Sequence, residues 1–383
     1  MRNLRVLVFS ATFGAGHIRA AEALIDTIIM ANPDAEIAHL DCWAIINQKF
    51  NSLIADIYIE MIKHTPKLWG KFYYGTASIP ADSIIQRLFN NAGQHKYLQH
   101  IRSFQPDIII CTYPTVAGVL AQLRLKKVLT TPLVAVVTDY AVHNQWIHSG
   151  VDLYIVGYRD ICEGFISRGI DPKRIKVTGI PVNQNFERHM DRYQVRTNLG
   201  LLPHNPTFLL MGGAYGVLSD LKALCKTLAN SELPSQLIVV CGQDDNLYES
   251  LDDIVAQARN PVLRFGFVHN VDELMSAADI IITKAGGLTV SEALTKRLPI
   301  VVFKPIPGQE TENALFLEKI GAGRTAHNQE ELENILFYLL KHPEDMEIMR
   351  QSAANALPGR AAEQAARYIL ELAGEAGHEV KAG

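Results

Sequence analysis

A histidine at the end of a glycine-rich loop is the first group in this chain placed to move a proton. It closes S-A-T-F-G-A-G-H, residues 10–17, between an apolar strand, Arg5 to Phe9, and a helix from His17 to about Met30. Glycines there let the backbone turn sharply and approach a ligand, with free N–H groups at the helix N-terminus. Two nucleotide motifs are excluded. A dinucleotide fingerprint needs glycine where Arg19 stands, and a Walker A loop needs a following Gly-Lys-Ser/Thr. Histidine takes a proton near neutral pH, so His17 is a candidate general base, with a capping or packing histidine as the competing reading.

A second constellation lies far along the chain. A strand, Ala278 to Lys284, leads through Ala285-Gly286-Gly287 into a helix from Leu288 to Lys296 that carries Glu292. The next strand, Ile300–Phe303, leads through P-I-P-G-Q-E, residues 305–310, into a helix expected from Thr311. Two helix N-termini side by side at strand ends suit a diphosphate, because unpaired N–H groups and positive dipole ends converge there. Glu292 is an acceptor-only group suited to a pair of vicinal ribose hydroxyls, and Gln309 and Glu310 would reach sugar hydroxyls.

Two further loops follow strands. M-G-G-A-Y-G, residues 211–216, contains Gly212 and Gly213 and leaves room for a phosphate or for an opposing domain. T-D-Y-A-V-H-N-Q-W, residues 138–146, offers Asp139 to orient a base and His143 and Trp146 to line an acceptor site. No D-x-D occurs and zinc-ligand spacing is missing. No metal or cofactor is therefore expected, and helix dipoles, backbone and Lys284 should meet a donor's charge.

These loops need elements to hold them. Later apolar strands are expected at Ile108–Thr112, Leu133–Thr138, Leu153–Gly157 and Lys176–Thr178. In the second half they fall at Thr207–Met211, Gln236–Cys241, Val262–Phe265, Ile280–Thr283 and Ile300–Phe303. Short apolar runs alternating with helical stretches make an α/β protein with parallel sheets covered on both faces. At 383 residues two domains are expected. The Pro- and Asn-bearing segment Gly179 to Arg196 reads as their linker. The domains are thus 1–183 and 184–358, with 359–383 a closing helix that crosses back to the first. Two doubly wound domains should face one central cleft with their strand ends.

The charge is uneven. Residues 1–185 carry 18 Lys and Arg against 14 Asp and Glu, and the remainder 18 against 26. Within the basic half, Trp43 to Tyr97 interleaves aromatics such as Tyr58, Trp69 and Tyr73 with Lys63, Lys67 and Lys71. That mixture suits a membrane interface or, equally, a helical subdomain with inward-packed rings. The five cysteines form no C-x-x-C pair and read as buried free thiols of a reducing compartment. No run approaches the ~20 apolar residues of a membrane span, so a cytoplasmic, peripherally bound protein is expected.

V-F-S-A-T-F-G-A-G-H-I-R-A-A-E-A-L, I-T-K-A-G-G-L-T-V-S-E-A-L and P-I-P-G-Q-E-T-E-N together resemble the monogalactosyldiacylglycerol synthase and processive diacylglycerol glucosyltransferase family. That family is related to the peptidoglycan N-acetylglucosaminyltransferase, and the resemblance runs from about Leu4 to about Pro358. K-H-T-P-K-L-W, residues 63–69, is specific to the lipid branch. The resemblance implies a GT-B fold and inverting transfer of a hexose from a UDP-sugar to diacylglycerol or a glycosyl-diacylglycerol. It makes His17 the base; Gly16, Asp139, His143 and Trp146 remain the acceptor-side candidates. Gly286, Gly287, Leu288 and Thr289 would contact the diphosphate, Glu292 the ribose, and Gln309 and Glu310 the hexose. Uracil would lie by Phe267 and Val268, with Gly212, Gly213 and Lys284 completing the donor side. Glu312 stands where relatives often carry glycine, which bears on donor identity. The implied partners are a UDP-sugar, a lipid acceptor and an anionic membrane, with no nucleic acid. A soluble or peptidoglycan-type acceptor, a nucleotide-sugar epimerase and a non-catalytic UDP-sugar sensor are the alternatives.

Overall fold

The computed structural model describes residues 3–12, 15–46, 65–77, 93–212 and 221–382. The chain divides into two compact units, Met1–Gln184 with Pro358–Gly383, and Asn185–Leu357.

In the first unit the helices are α1 (Ala15–Ala31), α2 (Cys42–Ile46), α3 (Pro66–Ala77), α4 (Gln94–Phe104), α5 (Pro114–Leu125) and α6 (Arg159–Ile166). They alternate with strands β1 (Arg5–Ser10), β2 (Glu36–Asp41), β3 (Ile108–Cys111), β4 (Leu133–Val136), β5 (Leu153–Val156) and β6 (Ile175–Val177). The strands form one sheet in the order β2-β1-β3-β4-β5-β6, and every pairing is parallel. Alternate side chains of β1 enter different cores. Val6 and Val8 pack with Leu24 and Ile28 of α1. Leu7 and Phe9 pack with Tyr97 of α4 and Leu120 of α5. All eight are buried. Both faces of the sheet's centre are therefore apolar, which is why β1, β3, β4 and β5 read as near-continuous hydrophobic runs.

The second unit repeats the plan with helices α7 (Arg192–Asn198), α8 (Leu221–Ala229), α9 (Asp245–Ser250), α10 (Asp252–Gln257), α11 (Val271–Ala277), α12 (Gly287–Thr295), α13 (Gln309–Ile320), α14 (Gln329–Lys341) and α15 (Pro343–Ala356). Its strands are β7 (Thr207–Met211), β8 (Gln236–Val240), β9 (Val262–Phe265), β10 (Ile280–Thr283), β11 (Ile300–Phe303) and β12 (Gly323–Ala326). Their order is β12-β11-β10-β7-β8-β9, again all parallel. The closing helix α16 (Ala361–Ala382) belongs to the first unit, where Ala365, Ala366 and Ile369 join the α1 side of its core.

Three local expectations are corrected. Part of the linker segment is structured, since α7 starts at Arg192 with the Asp191 carboxylate accepting from the N–H groups of Tyr193 and Gln194. The strand β12 was not anticipated, because G-R-T-A carries one alanine and no branched aliphatic residue. The helix after P-I-P-G begins at Gln309 rather than Thr311. Cys42, Cys111, Cys225 and Cys241 are buried free thiols and Cys162 is half-buried. Among the described residues, no helix is long and apolar enough to cross a membrane.

The amino end of β10 is fastened by charge. Asp279 takes Arg196 at 2.6 Å, Arg192 at 2.8 Å and Arg350 at 3.8 Å, and its Oδ2 accepts from the N–H of Thr207. Arg196 also donates to the carbonyls of Ala277 and Pro203 and is 2% exposed. One carboxylate thus ties the first helix of the unit, its last helix and two central strands. Removing one partner of a buried ion cluster leaves uncompensated charge, which costs about 3–5 kcal/mol. Asp279→Ala is expected to lower the stability of the second unit by that amount in urea unfolding. A loss within the range of an exposed ion pair, below about 1 kcal/mol, would show that solvent already pairs the arginines.

Candidate active site

A parallel sheet offers ligands its carboxyl edge, at the point where the chain stops adding strands on one side and starts on the other. In the first unit that reversal falls between β1 and β3, and in the second between β7 and β10. The residues with chemistry gather at these two places.

His17 lies in the first turn of α1, just beyond β1. Its Nδ1 is 2.7 Å from the carbonyl oxygen of Thr112, which follows β3, and 2.9 Å from the hydroxyl of Thr138, which follows β4. A carbonyl oxygen only accepts, so Nδ1 carries the proton and Nε2 keeps its lone pair. The Thr112 hydroxyl donates back to the His17 carbonyl at 2.9 Å, and the Tyr113 ring stands edge-on to the imidazole at 5.1 Å. Burial disfavours the imidazolium and lowers the His17 pKa to about 4, although the Thr112 carbonyl pulls it upward. At neutral pH the ring is an oriented, uncharged base.

Neither Thr112 nor Thr138 was singled out from the sequence. Both were assigned to strand ends, and only the earlier termination of β3 at Cys111 and β4 at Val136 frees them for this task. The loop before α1 is tied down as well. Ser10 Oγ lies 2.7 Å from Nε2 of His39, and the Thr12 N–H donates to Asp41, whose other oxygen accepts from the N–H groups of Trp43 and Ala44. Gly16 is half-buried within the first turn of α1, and Asp139 is half-buried on the turn directly after Thr138.

Two acceptor-side candidates are buried. Trp146 is 2% exposed and packs in the apolar core beneath the sheet, so it is a core residue. His143 is buried, accepts from the N–H of Gln145 at Nδ1, and donates from Nε2 to the carbonyl of Tyr73 at 3.2 Å. Its work is to fasten α3 to the turn at residues 144–146. Of the basic aromatic stretch, Trp43, Trp69, Tyr73 and Tyr74 are described. Tyr58, Lys63 and most of its other residues lie outside the described residues.

In the second unit, β10 and β11 are adjacent, which brings the starts of α12 and α13 together. Gly286 caps α12 with φ −59° and ψ 137°, a conformation open to any residue, and a Cβ there would meet nothing within 4 Å. Neither strain nor packing requires glycine here, and the space in front of the helix start is open. Beside it, Ala285 holds φ 70° and Lys304, after β11, φ 48°. Left-handed backbone at non-glycine residues collects at functional sites. Gly308, with φ 106° and ψ −131°, caps α13 in a conformation that glycine adopts freely.

The α13 start is self-bracing. The Glu310 carboxylate accepts from the N–H of Ile306 at 2.8 Å, and the Thr311 hydroxyl donates to the Ile306 carbonyl at 3.2 Å. Burial raises the Glu310 pKa to about 7, against the lowering influence of Lys284 and the Ile306 N–H. Lys284, Thr289, Glu292 and Gln309 are half-buried around the two turns, with Gly287 and Leu288 buried in the first turn of α12. Gly212 is buried at the end of β7, across the chain reversal, and Gly213 lies outside the described residues. Phe267 is exposed beyond β9 and meets His269 edge-on at 5.1 Å, with Val268 half-buried beside it. Sequence reasoning overlooked Asn313, which is fully buried in the second turn of α13 and bonds the Ala285 carbonyl at 2.9 Å. Among the described residues, no group of three His, Cys, Asp or Glu is placed to hold a metal ion.

Comparison with known proteins gives consistent results. Residues 17–182 match the model of the monogalactosyldiacylglycerol (MGDG) synthase family, and residues 209–367 match that of the glycosyltransferase family 28 C-terminal domain. The chain is 32% identical over 358 residues to a processive diacylglycerol β-glucosyltransferase of Bacillus licheniformis, covering 91% of this chain and 90% of that one. Against the Bacillus subtilis protein of the same name the identity is 31% with the same coverage. Among solved structures it is similar to Acinetobacter baumannii MurG, with a TM-score of 0.63 at 17% identity, over 97% of this chain and 100% of that one. The Neisseria meningitidis UDP-GlcNAc 2-epimerase bound to UDP-GlcNAc gives 0.60 at 14%, over 96% and 99%. These two likenesses establish the GT-B-type fold of paired α/β units.

The depressed basicity of His17 is directly measurable. In an NMR titration of the folded protein its ring C–H resonances should move with a midpoint near 4, far from the ordinary 6.5. The folded pKa lies below the unfolded one, so this group withdraws stability as pH falls from 6.5 towards 4. A midpoint at the ordinary value would show that the ring is hydrated and that burial does not govern it.

Proposed function

The chain belongs to the family of processive diacylglycerol β-glucosyltransferases, and from that premise we propose that it transfers a hexose from a UDP-sugar to diacylglycerol or a glycosyl-diacylglycerol at a membrane surface. The observation that carries the donor half is the glycine at the head of α12, which the fold itself does not require. The open space before Gly286, beside the start of α13, suits a diphosphate, whose charge the N–H groups of two helix ends and the Lys284 ammonium would meet. In this proposal no metal ion takes part in donor binding. Glu292 holds the ribose hydroxyls, Gln309 and Glu310 the hexose, and main-chain groups at Phe267 and Val268 the uracil.

Transfer is a single displacement. Nε2 of His17 accepts the proton of the lipid hydroxyl while that oxygen bonds to the anomeric carbon. The bond from that carbon to the β-phosphate oxygen breaks on the opposite face, its electron pair leaves with UDP, and the configuration inverts. The Thr112 carbonyl stabilises the imidazolium as it forms, through the Nδ1 proton. Asp139 and Gly16 flank the acceptor. Peripheral membrane binding is part of the same proposal. The exposed side of α3 presents Lys67, Leu68, Lys71 and Tyr74, and the helix contains no acidic residue. Cations and an amphipathic ring on one surface suit anionic headgroups.

The decisive assay supplies radiolabelled UDP-glucose or UDP-galactose to the protein with liposomes of diacylglycerol and anionic lipid. Label should enter the organic phase, and the productive donor names the sugar. Label that stays aqueous with both donors, while UDP binds, would replace the lipid by a soluble acceptor or the enzyme by a sensor. His17→Ala should lower kcat by about 10²–10⁴-fold with UDP affinity unchanged. A folded variant with full transfer activity would remove His17 from the reaction. Gly286→Val should melt like the parent yet bind UDP more than about tenfold more weakly, since its side chain enters the diphosphate space. Unchanged UDP affinity would place the donor elsewhere.

A further inference from the structure

The turn between β10 and α12 holds a residue of the wrong type for its conformation. Ala285 has φ 70°, in the left-handed region where a Cβ crowds the following carbonyl, and it is completely buried. Glycine would occupy that position without strain, and two glycines follow at once. Something outside the turn therefore fixes it.

A buried amide does so. Asn313, four residues into α13, is 0% exposed and its Nδ2 donates to the Ala285 carbonyl at 2.9 Å. The carbonyl accepts only, so the amide nitrogen must face it. The bond runs from one of the two helices whose starts flank the open space to the turn that begins the other. Within α12, Ser291 donates to the Gly287 carbonyl, and the backbone N–H of Val290 to that of Gly286. These bonds hold the helix but do not reach Ala285.

We propose that Asn313 is a positioning residue for the donor's diphosphate, acting through the Ala285 carbonyl to keep the turn in its left-handed form and the space before Gly286 open. The inference rests on the donor-site reading above and adds the device that shapes that site. Losing the bond lets Ala285 relax to negative φ, which swings the following peptide and moves the N–H groups at the head of α12. Asn313 then controls UDP affinity without touching UDP.

The test is a double-variant cycle on the full-length protein, with UDP binding measured by calorimetry for the parent, Asn313→Ala, Ala285→Gly and the pair together. Asn313→Ala should weaken UDP binding roughly tenfold. Ala285→Gly alone should stay within about threefold of the parent, because glycine needs no clamp. In the Ala285→Gly background the Asn313→Ala loss should shrink to about threefold or less. A loss of the same size in both backgrounds would overturn the proposal and mark Asn313 as a direct ligand contact or a packing residue. If Asn313→Ala does not fold, the pair decides. A folded double variant that binds UDP supports the clamp, and an insoluble one overturns it. A parent protein that binds no UDP would instead overturn the donor-site reading itself, which separates the two failures.

Discussion

Parallel strands hydrogen-bonded to parallel neighbours leave few free backbone groups except at their ends, and both sheets here are built only of such pairs. The faces are closed by apolar helices, so polar chemistry has one place to go, the carboxyl edge. At that edge the reversal of strand order opens a gap between neighbouring loops. His17 with Thr112 occupies the gap of the first unit, between the loops after β1 and β3. In the second unit Gly212 follows β7 and the Ala285 to Gly287 turn follows the neighbouring β10. The topology fixes where a reaction can occur before any side chain is chosen.

The two units meet the same edge with different electrostatics. The first half-buries a neutral imidazole and aligns it with a carbonyl and a hydroxyl, so that its uncharged form persists across the physiological range. Such a ring is a weak base in the ground state, and it gains basicity only as charge develops beside it. The second unit uses backbone rather than acidic side chains. Two helix starts supply fixed partial positive charge, and the Lys284 ammonium acts on the half-buried Glu310 carboxyl beside them. In the proposed function, His17 in the first unit supplies the proton acceptor and the α12 and α13 starts in the second the anion cradle.

The elements were legible because a doubly covered parallel sheet writes itself as short apolar runs, and most of the twelve described strands follow that rule. The twelfth, β12, lies at the sheet edge and carries Arg324 and Thr325, so composition alone does not announce it. Glycines and charged groups at strand ends were legible for the same reason that they are there, since turns and ligands both demand them. What was not legible is the support behind them. Thr112 and Thr138 look like strand residues, Asn313 like an ordinary helix position, and His143 and Trp146 like a ligand-facing pair. Each depends on a partner far away in sequence, 95 residues for His17 and Thr112, 28 for Asn313 and Ala285, and 70 for His143 and Tyr73. Local pattern carries no information about such distances.

The second unit also separates its rigidity from its strain. At the amino end of β10, Asp279 gathers three arginines from α7 and α15 and takes a backbone N–H from β7. Just past the carboxyl end of the same strand, six residues from Asp279, Ala285 sits in left-handed backbone beside a glycine with empty space in front of it. Strained backbone persists only where its surroundings over-determine it. The strand between them is completely buried and paired on both sides, so it transmits no slack from one end to the other. The ion cluster holds the strand's start and Asn313 holds the turn at its end. With both fixed, a non-glycine residue can keep a conformation it would abandon in a free loop, and the turn proposed to cradle the donor is shaped by the fold itself. Preorganisation of this kind is what lets backbone N–H groups act on a diphosphate without reorganising as charge leaves the sugar.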